Sequence, residues 1–390
     1  MKDITITDTI KYIGVDDKDI DLFESQYIVP NGVAYNSYLI KDEKIAIMDT
    51  VDARKKDEWF QNLEKELDEK TPDYLVVSHV EPDHAGSIEI VANKYPEMKL
   101  VGNSKTFVFL NQFFTNIKDF EGRKIEVKEG DTLDLGKHIL NFVMAPMVHW
   151  PEVMCSYEQT EKVLFSADGF GKFGSLDTDE EWACEARRYY FNIVGKYGAQ
   201  VQALLKKAAM LDIEIICPLH GPILKENLGY YIEKYDIWSS YKPEAEGVFI
   251  AYSSIHGRTK EAAIKMKEIL EKKGASKVAI SDLTREDWAE AVEDAFKYGK
   301  IILASSSYNM GLFPPMEQLL HHLESKNYQS RKVGIIENGT WAPSAAKCMR
   351  EILGRMKNIT ICENQVTIMS AMNDKNIEDM EKLADEILKN

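Results

Sequence analysis

Apolar and polar positions follow two different rhythms along the chain. From residue 247 onward, short apolar runs alternate with longer amphipathic stretches. The runs predict strands at 247–252, 277–280, 301–304, 332–336 and within 359–368, and the stretches predict helices at 259–272, 287–298, 314–323, 344–356 and 376–388. Five strand-helix units in about 145 residues indicate a doubly wound parallel sheet. Before residue 236 the pattern is less regular, and from Met1 to about Thr50 it reads as short strands and turns. The runs 35–40 and 44–49 flank Lys41-Asp42-Glu43, a hairpin pattern. Trp59, Leu63 and Leu67 stand four apart among charged residues, which predicts an amphipathic helix over 55–69. Pro72 breaks the chain before the apolar run Tyr74-Leu75-Val76-Val77. Helices are predicted over 85–95 and 105–114, and strands near 125–127 and 139–144, so this part is strand-rich with helices outside it. The polar stretch 236–246, which carries Pro243, reads as a junction between domains at 1–245 and 246–390.

Chemistry-bearing residues cluster where strands end. The run through Val77 delivers Ser78-His79-Val80-Glu81-Pro82-Asp83-His84, four metal-capable side chains in a loop at the carboxyl end of a buried strand. An extended backbone would point His79 and Glu81 the same way, with Asp83 and His84 coming from the turn into the next helix. Three later stretches repeat the arrangement: His149 follows the run ending at Val148, Asp168 follows Val163-Leu164-Phe165, and His220 follows Ile215-Ile216-Cys217. A lone histidine is usually an ordinary polar or core residue, and His138, His256, His321 and His322 are read that way until something recruits them. Recurrence at strand ends sets the others apart. Imidazoles mixed with carboxylates suit a pair of Fe, Mn or Zn ions.

The second region has its own loops. Its first strand runs into Ser253-Ser254-Ile255-His256-Gly257-Arg258-Thr259 just before a helix, and free backbone donors with hydroxyls at a helix N-terminus suit a phosphate. Neither GxGxxG nor GxxxxGK[ST] is present, which weakens dinucleotide and nucleoside-triphosphate readings. The third strand ends in Ser305-Ser306-Ser307-Tyr308-Asn309-Met310-Gly311 and the fourth in Glu337-Asn338-Gly339-Thr340-Trp341. The three loops form a cradle for a planar phosphorylated cofactor. FMN fits, with Tyr308 or Trp341 able to cover part of its ring.

Charge and cysteine usage narrow the class. A formal charge of -16 disfavours nucleic acid and anionic membranes, and no stretch reads as an export signal or a bilayer span, so a cytoplasmic location is expected. Five cysteines without a CxxC pair make neither a disulfide framework nor a thiolate metal centre.

With these motifs in order, the chain resembles the flavodiiron proteins, or A-type flavoproteins, over essentially its whole length. The match is His79-x-Glu81-x-Asp83-His84, then His149, Asp168 and His220, then a flavodoxin-like region from about Gly247. The resemblance implies a two-domain chain of the α/β and α+β classes, a metallo-beta-lactamase-like αββα sandwich followed by a flavodoxin-like doubly wound parallel sheet. It also implies two non-haem irons and FMN. His79, Glu81 and His149 would bind one iron, Asp83 and His220 the other, and Asp168 would bridge them. His84 occupies a position whose direct coordination varies in the family. A tyrosine near the family's metal pocket has its loose counterpart at Tyr197. Trp150 and Phe170, beside proposed ligands, would line the pocket or belong to the core.

The implied activity is reduction of O2 to water, of NO to N2O, or both, in a head-to-tail homodimer. Without CxxC pairs the chain carries no rubredoxin-like module, so a separate donor is expected, rubredoxin first and a reduced deazaflavin second. Glu81 stands where zinc hydrolases of this scaffold carry a second histidine, and its oxygen is a harder donor suited to iron. Three carboxylates with one bridging hydroxide would neutralise a diferrous pair and favour an uncharged diatomic ligand. The alternatives are a zinc hydrolase with a flavodoxin-like domain, or an electron-transfer flavoprotein with no catalytic metal site.

Overall fold

The structure, a computed structural model, describes residues 4–389; Met1–Asp3, where the first predicted short strands begin, and Asn390 lie outside the described residues. The chain divides into two compact units, one of Met1–Tyr189 with Ala199–Asp236, the other of Tyr190–Gly198 with Ile237–Asn390.

The first unit is built on two sheets. One runs in the order Ile10–Tyr12, Tyr38–Ile40, Ala46–Met48, Tyr74–Val76, Lys99–Gly102 and Lys124–Glu126. The other runs Thr132–Asp134, Ile139–Met144, Met154–Glu158, Val163–Phe165 and Ile215–Cys217. Ile40, Met48, Val76 and Val101 of the first share one buried cluster with Leu140, Phe142, Met154 and Phe165 of the second, so the sheets pack face to face. Helix Lys56–Leu67 buries Trp59, Leu63 and Leu67, the predicted stripe. The arrangement is an αββα sandwich. The helix predicted over 85–95 is two helices, Pro82–Ala85 and Ile88–Lys94. Proline starts the first one early, and Gly86 lets the break pack tightly, since a Cβ there would lie 2.6 Å from the Pro82 carbonyl and 2.7 Å from the Ala53 nitrogen.

In the second unit the five long strands are parallel, ordered Val278–Asp282, Ala245–Ser253, Tyr298–Tyr308, Lys332–Asn338 and Thr360–Ile368. In chain order this is 2-1-3-4-5, the flavodoxin-like winding. Val248, Ile250 and Tyr252 alternate onto one face, against Ala262, Met266 and Leu270 of helix Arg258–Lys272 and Met380 and Leu383 of helix Asp374–Leu388. Phe249 and Ala251, equally buried, face helices Trp288–Lys297 and Pro314–Ser325. Tyr190–Gly198 belongs to this unit through contacts distant in sequence. Phe191 stacks on Phe296 at 4.1 Å, and Tyr241 Oη donates to the Gly195 carbonyl at 2.8 Å.

Candidate metal centre

The loop after strand Tyr74–Val76 is held by a buried carboxylate. Asp49 accepts the amide hydrogen of Ser78 at 2.6 Å and that of His79 at 3.4 Å. Burial raises its carboxyl to about 6 even against those donors. Leu75 through Val80 are buried, and the chain turns at Glu81 into helix Pro82–Ala85, which carries Asp83 and His84. His149 and Asp168 arrive from the ends of Ile139–Met144 and Val163–Phe165, and His220 from the end of Ile215–Cys217. Gly221 then turns the chain at a positive φ of 76°, and a Cβ there would lie 2.5 Å from Lys172 Cγ.

The seven predicted ligands come together in two groups, His79, Glu81, His149 with Asp168, and Asp83, His84 with His220. Glu81 Oε2 lies 3.2 Å from His79 Nε2 and 3.0 Å from His149 Nε2. Asp83 Oδ2 lies 3.2 Å from both His84 Nε2 and His220 Nε2, and these two nitrogens face each other at 3.0 Å. Asp168 stands between the groups. Its Oδ2 is 3.3 Å from His79 Nε2 and His149 Nε2, while its Oδ1 is 3.3 Å from His84 Nε2 and 3.9 Å from His220 Nε2. Both oxygens of Asp83 and both of Asp168 are buried without a well-formed hydrogen bond. Such atoms are costly to bury unless something else satisfies them.

Electrostatics carries the same message. Burial works against charge here, yet the surrounding carboxylates outweigh it, raising His79 well above the imidazole range and His149 to about 9. Asp168 is held well below the carboxylate range, because His79, His149 and His84 outweigh its own burial. Imidazole nitrogens and carboxylate oxygens converge on two points a few ångströms apart, with hard oxygen donors at both. The donor set fits a pair of divalent first-row metals.

A cavity of about 310 Å³ opens over Glu81 and Asp83, walled by Ile20, Leu22, Phe23, Tyr35 and Arg54 among others. Trp150 lies edge-on to His79 at 5.3 Å and half-buried, and Phe170 is buried against Tyr235 at 4.3 Å. Tyr189, and not Tyr197, lies beside the ligand groups. Tyr189 is buried with its ring 5.4 Å from that of His220, and burial together with Asp168, Asp83 and Glu81 pushes its hydroxyl well above the usual range. Tyr197 belongs to the second unit, in a single turn Gly195–Tyr197. The signal available in sequence was the adjacent pair Tyr189-Tyr190, with Tyr189 eight residues before the loosely matched position.

In the second unit a cavity of about 280 Å³ lies at the carboxyl ends of the strands, where order reverses between Ala245–Ser253 and Tyr298–Tyr308. Ser254, Ile255, His256, Arg258 and Thr259 line it, with Ser306, Ser307, Tyr308 and Asn309, and with Asn338, Gly339, Thr340 and Trp341. Five predicted residues do not line it. Ser253 and Ser305 are buried and hydrogen-bonded to each other at 3.0 Å, and Glu337 turns inward to accept from the Ala346 amide and the Thr367 hydroxyl. Gly257 supplies the turn, with φ of 90° at the helix N-terminus, and Gly311 pairs with Tyr308 beyond it. Met310, within the third-strand loop, also lines the cavity, as do Ala342 and Ser370. Ser370 follows the fifth strand, a strand end that the same rhythm made legible.

The model of the ODP family beta lactamase matches residues 33–221. The chain is 30% identical over 376 residues to the nitric oxide reductase of Moorella thermoacetica, covering 94% of this chain and 93% of that one. It is 28% identical over 350 residues to the anaerobic nitric oxide reductase flavorubredoxin of Vibrio vulnificus, covering 87% and 70% of the two chains. The rubredoxin oxygen:oxidoreductase of Desulfovibrio gigas superposes with a TM-score of 0.91 at 27% identity, over 98% of this chain and 97% of that one. Fold and site together define a two-unit chain with a metallo-beta-lactamase-like sandwich and a flavodoxin-like sheet. The chain belongs to the flavodiiron protein family.

Proposed function

We propose that this protein is an oxidoreductase that reduces O2 to water, NO to N2O, or both, with two non-haem irons in the first unit and FMN in the second. The observation that carries the reading is Asp168, one oxygen turned to each group of ligands and neither oxygen otherwise well hydrogen-bonded. His79, Glu81 and His149 would hold one iron, Asp83, His84 and His220 the other, and Asp168 would bridge them. His84 is included because its Nε2 meets Asp83, Asp168 and His220 within 3.3 Å. When bound, the iron pair supplies the gas-binding site and its electrons, and FMN replenishes them.

The chain's own residues do the rest. Ile20, Leu22 and Phe23 give the cavity above Glu81 and Asp83 an apolar wall suited to a small uncharged gas. The hydroxyls of Ser254 and Thr259, at the start of helix Arg258–Lys272, suit a phosphate, and Tyr308 and Trp341 suit an isoalloxazine ring. Flavin and metals reside in different units of a chain, and the relatives' family pattern suggests a head-to-tail homodimer. Electrons would come from a separate donor such as rubredoxin or a reduced deazaflavin. No helix among the described residues is long and apolar enough to cross a membrane.

The test is anaerobic stopped-flow on protein of verified iron and FMN content, fully reduced and mixed separately with O2 and NO. Flavin reoxidation with water or N2O as product is expected. Reoxidation by neither gas beyond the rate of a His79→Ala control would leave an electron carrier in its place.

A further inference from the structure

We propose that Glu152 is a positioning residue that makes the two metal positions unequal, by fixing the ring of His79 and backing it with a negative charge. The inference rests on the metal-pair reading above. Glu152 follows Pro151 in the turn that also carries His149, and its side chain is fully buried. Its Oε1 lies 2.7 Å from His79 Nδ1 and accepts the Val80 amide hydrogen at 3.0 Å, while Oε2 has no partner. Asn103 anchors the same residue from behind, its Nδ2 donating to the Glu152 carbonyl at 2.6 Å.

Among the described residues no lysine or arginine pairs with this carboxylate, and its one charge partner is the imidazole. A buried carboxylate held that way is expensive as pure packing. It is accounted for if Nδ1 of His79 carries the hydrogen and Nε2 presents its lone pair to the ligand group, which is the orientation the distances show.

The other histidines lack this support. His220 Nδ1 faces a neutral acceptor, the Ala34 carbonyl at 2.8 Å, and His84 Nδ1 is buried without a hydrogen-bond partner. Among the described residues no carboxylate hydrogen-bonds to Nδ1 of His84, His149 or His220. A carboxylate-backed imidazole is the more basic donor, and outer partners of this kind change metal affinity by about 10- to 100-fold. The position of His79, Glu81 and His149 therefore loads first and releases last, and the position of Asp83, His84 and His220 loads second.

The test is a Co(II) titration of the full chain after removal of metal by chelation, read by visible absorption and by thermal melting at each stage of loading. Wild type is expected to bind in two steps. Glu152→Gln should weaken the first step by about 10- to 100-fold and leave the second unchanged. Glu152→Asp keeps the charge at shorter reach and should fall between, and it carries the same test if the amide variant does not fold. A merely structural role would lower the melting temperature of the metal-free protein and leave the rise on metal binding intact. The proposal expects the reverse, an unchanged or higher metal-free melting temperature and a smaller rise. Equal loss at both steps, or no loss at the first, overturns it. Failure of wild type to bind two equivalents would instead overturn the metal-pair reading, and this inference with it.

Discussion

Asp168 illustrates how much of the chemistry hangs on the orientation of one side chain. Its two oxygens face different ligand groups at 3.3 Å, so replacing it should affect both positions at once. Asp168→Ala is expected to lower metal content from two to at most one per chain by elemental analysis. Turnover should fall by at least about the 100-fold that even outer-shell losses can cause. Retention of two metals would show that the carboxylate is not the bridge.

A second residue-scale prediction concerns His322, whose ring stacks on that of Trp288 at 3.9 Å and 6°. Burial, then Lys326 and His321, lower its pKa to about 4, against about 6.5 in an unfolded chain. The unfolded chain thus takes up a proton that the folded chain refuses. The stabilisation is complete above about pH 6.5 and is lost as pH falls toward 4. Because the ring is only half-buried, solvent screening reduces the effect to about 1 kcal/mol. Chemical denaturation of His322→Gln between pH 4 and 7 should show a shallower acid limb than wild type; identical limbs would remove His322 as a cause.

The ligand types and their places at strand ends were legible in the sequence, because short apolar runs followed by His, Asp or Glu are a local pattern. The sharing of Asp168 between groups came from the family resemblance and not from the apolar pattern, since it depends on how the strand ends converge. The tyrosine beside the ligands was misplaced for a similar reason: Tyr189 ends helix Trp182–Tyr189 and Tyr197 ends the irregular turns that follow it, and only the fold separates them into different units.

At the scale of elements, caps and stripes did most of the organising. Helix Ile88–Lys94 leaves carbonyls open at its C-terminus, and the buried Arg123 closes them. Its Nη1 donates to the Ala92 carbonyl at 2.8 Å, its Nη2 to Tyr95 at 3.0 Å and its Nε to Met98 at 2.8 Å. A guanidinium also complements the negative end of the helix dipole. Arg123→Met keeps volume but orphans these buried carbonyls, so a loss of about 2–4 kcal/mol in urea unfolding is expected. A loss below about 0.5 kcal/mol would mean water replaces the donors.

Legibility varied with how clean each stripe was. Helix Lys56–Leu67 stood out because charged residues mark its outer face. Helix Trp182–Tyr189 did not, because its charged Arg187 and Arg188 are buried along with Trp182, Ala186 and Tyr189, which blurs the stripe. Helices Gly198–Ala208 and Leu228–Ser239 were likewise unpredicted. In the second unit all five long strands were legible, since a parallel sheet covered on both faces leaves near-continuous apolar runs.

At the scale of the whole molecule, one unit gathers the imidazoles and carboxylates and the other carries a cavity at the ends of its parallel strands. The three carboxylates of the cage need a compensating cation, because the imidazoles meet that need only by taking up protons. A bridged iron pair would supply that charge, and iron suits the hard oxygen donors of this set. The most direct measurement is Mössbauer spectroscopy of the full chain loaded with enriched iron and FMN. Two irons per chain are expected, forming a single exchange-coupled, diamagnetic pair when oxidised. Uncoupled mononuclear iron, or stoichiometric zinc that iron cannot displace, would contradict it.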